Sequence, residues 1–108
     1  MLLVKMRVLA WLGSEPFPGI VEVELIDARG RNWRFVDKAP IFAGDLRADG
    51  VYPVDILVGC TELSRTRTEG RELVTISTAE PWGIESREGC WVFEVTPDQL
   101  MSDATPAT

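Results

Sequence analysis

The stretch Ile20-Val21-Glu22-Val23-Glu24-Leu25-Ile26 decides the fold class, because apolar and acidic side chains alternate along it. Successive side chains of a β-strand point to opposite faces of a sheet, so this pattern predicts a strand with its valines and Leu25 inside and its glutamates in water. Such half-exposed strands are typical of antiparallel sheets. We therefore expect an antiparallel fold and extend the assignment outward from this strand.

Both sides of this strand carry turn and strand signals. Residues 27–30, Asp-Ala-Arg-Gly, match a type I turn, and alternation resumes at residues 33–36, so a hairpin is predicted. Residues 2–11 alternate with period two and predict another strand, although their Leu, Met and Ala residues would also suit a helix. Residues 13–19, with two prolines and two glycines, must form a loop.

Further hairpins are predicted in the second half of the chain. Residues 54–63 are apolar on both parities, as expected for a central strand covered on both sides, and residues 72–78 are rich in β-branched side chains. The polar residues 64–70 between them predict a hairpin tip. Residues 84–86 and 90–95 predict a third hairpin around the turn at residues 87–89.

The remaining segments are connections and the C-terminus. Residues 38–53 contain repeated Pro, Gly and Asp, which predicts an irregular connection anchored by Ile41 and Phe42. One helical turn is expected at residues 97–100, with Thr96 as its cap. Residues 101–108 are expected to form a mobile tail.

These elements predict an all-β protein, a small antiparallel β-barrel or sandwich of about six or seven short strands with at most one C-terminal helical turn. The 108 residues suit one domain, which we place at residues 1–100. A barrel is slightly favoured over a sandwich, because a short chain has few ways to protect two sheet edges.

The composition bears on the cellular location of the protein and on the role of its two cysteines. The chain is 45% apolar and 26% charged, which is ordinary for a globular protein. It has no apolar run long enough to cross a membrane, and Lys5 and Arg7 interrupt the apolar N-terminus, so no membrane association and a cytoplasmic location are expected. Cys60 and Cys90 lie in apolar patterns and are expected to pack as small hydrophobic residues.

Several catalytic chemistries lack the residues that they require. The chain has no histidine, so it has no Ser–His–Asp or Cys–His nucleophile and no His-containing zinc site. It also lacks the P-loop and GxGxxG motifs. Asp45 and Asp49 could hold a hard cation, but their spacing does not follow the calcium loop. We expect no cofactor and no metal, and the sequence disfavours an enzymatic function.

Charge and aromatic side chains favour a binding role. The net charge is −6, and residues 79–108 contain six acidic residues against one arginine. Trp82 lies in the predicted turn Pro81-Trp82-Gly83, where an indole is expected to be exposed. The sequence therefore predicts a non-enzymatic binding module for a basic protein partner, such as an inhibitor or immunity-type protein that covers a basic active site. The candidate contact residues are Trp82, Glu80, Glu85, Glu88, Trp11 and Phe17.

Three alternatives stay open at this point. The protein could be a small-ligand barrel or a carboxylate-dependent enzyme, with Asp37 and Lys38 at the barrel mouth. It could bind single-stranded nucleic acid through arginines in two hairpins, although the negative net charge disfavours this. An exposed edge strand could also pair with a second copy in a homodimer. The hairpin arginines are Arg29, Arg31, Arg34, Arg65, Arg67 and Arg71.

Overall fold

The computed structural model describes residues 1–102 and shows an all-β protein whose seven antiparallel strands form a curled half-barrel. The predicted fold class is therefore confirmed. The strands are β1 (Leu2–Gly13), β2 (Ile20–Ile26), β3 (Asn32–Lys38), β4 (Val54–Thr68), β5 (Arg71–Ser77), β6 (Val92–Val95) and β7 (Leu100–Ser102). A short helix, α1 (Ala39–Phe42), follows β3, and a 3₁₀ turn (Pro97–Gln99) precedes β7.

The long strand β4 joins the two halves of the sheet. The strand order is β3-β2-β1-β4-β5-β6, and β7 pairs with β1 beside the end of β2. Residues 54–60 of β4 pair with β1, whereas residues 61–68 of the same strand pair with β5. Because β4 belongs to both halves of the sheet, the sheet can curl along it and bring the inner faces of the halves together.

The core lies where these inner faces meet. The alternation in β2 is confirmed, because Val21, Val23 and Leu25 are fully buried while the glutamates between them are not. Phe93 of β6 lies edge-on to Trp33 and Phe35 of β3, with ring centroids 5.1 and 5.6 Å apart. These aromatic contacts join the two ends of the strand order, in the edge-to-face geometry that aromatic pairs favour.

The hairpin between β4 and β5 is longer than predicted. β4 continues to Thr68, and the turn consists of Glu69 and Gly70, whose φ angles are 53° and 77°. Two successive positive φ angles are typical of the tight turns that match the twist of a hairpin. All residues from 61 to 68 are exposed, so this half of β4 has the polar composition of a loop although it is paired with β5.

The connection from residue 39 to residue 53 contains a helix that was not predicted. Pro40 lies in the first turn of α1, where its missing N–H group is tolerated. Phe42 is 2% exposed, so its predicted role as an anchor is confirmed. The expected C-terminal helical turn is present at Pro97–Gln99, and the Oε1 atom of Gln99 accepts a hydrogen bond from the Thr96 N–H group.

Cysteines and the C-terminus complete the fold. Cys60 is buried, and burial raises the pKa of its thiol to about 11, while Cys90 is half-buried; both are free thiols.

β7 includes Met101 and Ser102, the first two residues of the expected tail, and residues 103–108 lie outside the described part. Among the described residues, no helix has the length and apolar character needed to cross a membrane.

Candidate functional site

The connection between β5 and β6, residues 78–91, forms a compact loop that closes on itself. The Thr78 N–H group donates to the Trp91 carbonyl oxygen at 2.8 Å, which joins the two ends of the loop. The Thr78 hydroxyl donates to the Ile84 carbonyl oxygen at 2.6 Å, and the Ile84 N–H group donates back to the Thr78 carbonyl oxygen at 3.0 Å. Ile84 is 2% exposed. The segment is therefore an Ω-loop with its own packed interior.

This Ω-loop replaces the third hairpin expected from the sequence. Residues 84–86 form no strand, and β6 begins at Val92 rather than at Cys90. The Ser86 N–H group donates to the Cys90 carbonyl oxygen, but this backbone pair is not continued, because the Cys90 N–H group donates to Ser86 Oγ. The N–H and carbonyl groups of Ile84 both bond to Thr78, so they are not available for a ladder with β6.

The Ω-loop crosses the open side of the half-barrel. Near β4, the Thr61 hydroxyl donates to the Glu80 carbonyl oxygen at 3.3 Å, and a Cβ atom at Gly59 would lie 3.2 Å from the Pro81 ring. Near β3, the Arg87 N–H group donates to the Arg34 carbonyl oxygen at 2.8 Å. Because the loop is hydrogen-bonded to both strands on either side of Trp82, it holds that residue in a defined position.

Trp82 and α1 together form a concave notch of about 400 Å³. The indole is 40% exposed and forms one wall. The N–H group of Ala39 donates to the Gly19 carbonyl oxygen at 2.9 Å and buried Phe42 anchors the other end, so α1 is fixed from both sides. The notch is lined by Trp82, Pro40, Ile41, Phe42, Ala43 and Gly44, all of them apolar or glycine.

The other two candidate aromatic residues, Trp11 and Phe17, lie near Gly19, whose carbonyl oxygen accepts the hydrogen bond from α1. Trp11 is half-buried, and its ring fills the space at Gly19, where a Cβ atom would lie 2.0 Å from it. Phe17, in the same loop, is 88% exposed. Within residues 1–102, none of Trp11, Phe17 and Trp82 stacks on another. Trp11 therefore supports the loop, and Phe17 projects from it.

The three candidate glutamates of the Ω-loop are not equivalent. Glu88 accepts a hydrogen bond from Arg31 at 2.7 Å and belongs to an ion pair. Glu80 and Glu85 are exposed and have no ion-pair partner among residues 1–102. Asp45, which directly follows the notch residue Gly44, is exposed and has no ion pair in the described part either. Glu80 and Glu85 flank the notch residue Trp82 in sequence, whereas Asp45 lines a second groove together with Lys5 and Arg7.

The hairpin arginines form a second charged region, called here the arginine cluster, at the opposite end of β2 and β3 from α1. The two hairpins lie side by side, because Arg71 donates to the Ala28 carbonyl oxygen at 2.9 Å. Within residues 1–102, five of the six arginines form ion pairs, which leaves little unbalanced positive charge for a phosphate backbone. The pairs are Arg29 with Glu94, Arg31 with Glu88, Arg34 with Glu22 and Glu24, Arg65 with Glu62 and Glu72, and Arg67 with Glu72.

Asp27 organises the turn within the arginine cluster, a role that the sequence did not reveal beyond the turn itself. Its carboxylate accepts hydrogen bonds of 2.9 Å from the Trp33 indole and from the N–H groups of Arg29 and Arg31. Burial alone would raise the pKa of Asp27, but these hydrogen bonds lower it below its ordinary value. The guanidinium of Arg31 in turn lies 3.8 Å from the centre of the Trp33 ring.

Catalytic alternatives find little support in the geometry. A groove of about 760 Å³ on the solvent face is lined by Lys5, Arg7 and Asp55, among others, and Arg7 pairs with Asp55 at 3.1 Å. Among residues 1–102, the carboxylates with clearly shifted pKa values are those of Asp27, Glu62 and Asp98, and all three values are lowered, whereas a general acid at neutral pH needs a raised pKa. Asp37 and Lys38 are exposed and line neither cavity.

Metal coordination is not supported either. In the part of the chain that the structure describes, no three carboxylate or thiol side chains come together as a metal site would require. The candidate region is called here the Trp82 surface: it consists of Trp82, Pro40 and Ile41 of the notch, with the carboxylates Glu80 and Glu85 that flank Trp82 in sequence. No protein-family model, no curated protein and no solved structure matches the chain.

Proposed function

We propose that the protein is a non-enzymatic binding module that engages a basic protein partner through the Trp82 surface. One form of this function is an inhibitor or immunity-type protein that covers a basic active site with its carboxylates. The free thiols of Cys60 and Cys90 support action in a reducing compartment such as the cytoplasm.

The observation that carries the proposal is that two carboxylates with no ion pair among residues 1–102 stand close in sequence to a partly exposed indole. Glu80 and Glu85 flank Trp82 on a loop whose position is fixed by its own hydrogen bonds. Exposed charges mainly accelerate encounter and select partners, whereas aromatic side chains placed in or beside pockets supply most of the affinity. The Trp82 surface combines both features.

The ion pairs of the arginine cluster weaken the nucleic-acid alternative. A phosphate backbone is recognised by cations that release counterions, and here the arginine cluster already holds glutamates at ion-pair distances. Binding of an oligonucleotide would require these pairs to break. We therefore expect no measurable binding of single-stranded DNA at physiological salt.

The experiment measures binding of a decapeptide of alternating lysine and arginine by isothermal titration calorimetry. The double substitution Glu80→Gln with Glu85→Gln should weaken binding roughly threefold to tenfold, because each exposed ion pair contributes about 0.2 to 1 kcal/mol. The matched control is Glu62→Gln with Glu72→Gln, which changes the net charge equally but lies in the arginine cluster.

The control should change the affinity less than about twofold, since its carboxylates are already paired. Equal weakening by both double variants would show that only net charge matters and would refute the proposal. Absence of binding by the unmodified protein at low salt would refute it as well.

A further inference from the structure

The two ends of the strand order meet along a line called here the seam, where β3 and the turn at residues 27–31 face β6 and the end of the Ω-loop. Within residues 1–102, all neighbours in the strand order are joined by ladders, but β3 and β6 are not paired with each other. Two backbone hydrogen bonds of 2.8 Å cross the seam in this part of the chain, from the Ala28 N–H group to the Glu94 carbonyl oxygen and from the Arg87 N–H group to the Arg34 carbonyl oxygen. The half-barrel can therefore open at the seam without breaking a ladder.

Two ion pairs also cross the seam. Arg29 Nε donates to Glu94 Oε1, and Arg31 Nη2 donates to Glu88 Oε2, each at 2.7 Å. The four side chains remain between 32% and 73% exposed, so water and salt compete with these contacts. The ion pairs therefore hold the seam closed only weakly.

Buried aromatic rings lie along the same seam, and Asp27 links them to the ion pairs. Phe93 of β6 is edge-on to Trp33 and Phe35 of β3, and all three rings are buried. The carboxylate of Asp27 accepts hydrogen bonds from the Trp33 indole and from the N–H groups of both arginines that cross the seam. Because opening exposes these rings to water, the closed state is the resting state. Because Asp27 bonds to both sets of groups, they move together.

We propose that the seam is a latch at which the native half-barrel opens as one unit, while the ladders between the other strands stay intact. Such openings below the level of global unfolding are common where few backbone bonds join two parts of a fold. Opening releases the end of the Ω-loop at Arg87 and Glu88, whereas its start stays attached to β4 through the bond from Thr61 to the Glu80 carbonyl oxygen. The latch thus controls how firmly the loop that carries Trp82 is held. This inference does not depend on the proposed function, because it requires no partner.

Amide hydrogen exchange of the full chain, measured by NMR in increasing urea, tests the latch. The amides of Ala28 and Arg87 report opening, because the backbone hydrogen bond that each donates crosses the seam. We expect similar protection factors and one shared, shallow urea dependence for both, since the seam exposes little surface when it opens. Their protection should be at least about tenfold lower than that of the β1–β4 ladder around Val4 and Val58. Protection equal to that of the ladder, or different urea dependences for the two amides, would overturn the latch.

Glu88→Gln then tests whether the seam opens as one unit. The substitution weakens the ion pair with Arg31, so exchange of both reporter amides should accelerate about 1.5-fold to fivefold, as expected for the loss of one exposed ion pair. Acceleration at Ala28 is the informative result, because that amide bonds to Glu94 and not to Glu88. Acceleration confined to Arg87 would show local fraying of the Ω-loop and would overturn the latch.

Asp55→Asn is the matched control. It removes the same charge and weakens an exposed ion pair, that of Arg7 with Asp55 at 3.1 Å, which joins β1 to β4 away from the seam. This variant should leave exchange of both reporter amides unchanged within about 1.5-fold. Equal acceleration in Glu88→Gln and Asp55→Asn would show a general effect of charge on stability and would overturn the latch.

Discussion

The two ends of the half-barrel use their charges in different ways. In the arginine cluster, two hairpins meet and glutamates from β2, β4, β5, β6 and the Ω-loop neutralise the arginines. At the Trp82 surface, carboxylates stand beside an exposed indole without partners in the described chain. The arginine cluster therefore cancels internally, and the net charge of −6 comes from the other acidic residues of the chain, Glu80 and Glu85 among them. A count of charges along the sequence does not reveal this difference.

The Ω-loop connects these two regions and shows the difference within one segment. Glu88, near its end, pairs with Arg31, whereas Glu80 and Glu85 form no ion pair with any residue in the described part of the chain. Ile84, between them, is buried and holds the loop against the core. The loop thus has one part that supports the fold and one part that is free to contact other molecules.

Ile84→Ala should produce the largest loss of stability, and it tests whether the two parts of the Ω-loop differ in this way. Removing a buried isoleucine side chain leaves a cavity, so we expect a loss of about 3 kcal/mol in the free energy of unfolding. Glu85→Ala, the control at the next residue, should change the free energy of unfolding by less than about 0.5 kcal/mol, because its side chain is exposed and has no ion pair within residues 1–102. Urea unfolding followed by far-ultraviolet circular dichroism measures both. Equal losses would show that the Ω-loop is not divided into a buried part and an exposed part.

Asp27→Ala should have the next largest effect, about 2 kcal/mol, because it removes a carboxylate that accepts three hydrogen bonds in the arginine cluster. The folded state lowers the pKa of Asp27, so this stabilisation is present above the ordinary pKa near 3.8 and is lost as the pH falls through the lower folded value. The stability difference between the wild type and Asp27→Ala should therefore shrink in acid. A difference that stays constant from pH 6 down to about pH 2 would contradict this account.

Alternation of side chains predicted β1, β2, β3 and β5 well, since each has one face in the core. The alternation gave wrong predictions where a segment does not have a single strand face in the core. The second half of β4 exposes both faces, so residues 64–68 resembled a turn. In the Ω-loop, residues 84–86 resembled a strand because buried Ile84 lies between polar residues, yet their backbone groups bond within the loop.

The candidate site was predictable only in part. Trp82 was identifiable as an indole in a turn, but the notch depends on α1, which lies some 40 residues earlier in the chain. Likewise, Glu88 resembles Glu80 and Glu85 in sequence, and its pairing with Arg31 spans 57 residues. Such long-range contacts arise from the sheet order, which local patterns do not contain.

The central claim is that the Trp82 surface, and not the arginine cluster, receives a basic partner. An amide NMR titration with the lysine–arginine decapeptide tests it most directly. We predict shift changes at residues 40–45 and 80–85, with residues 27–34 and 64–72 unaffected. Changes centred on the arginine cluster, or spread evenly over the molecule, would contradict the claim.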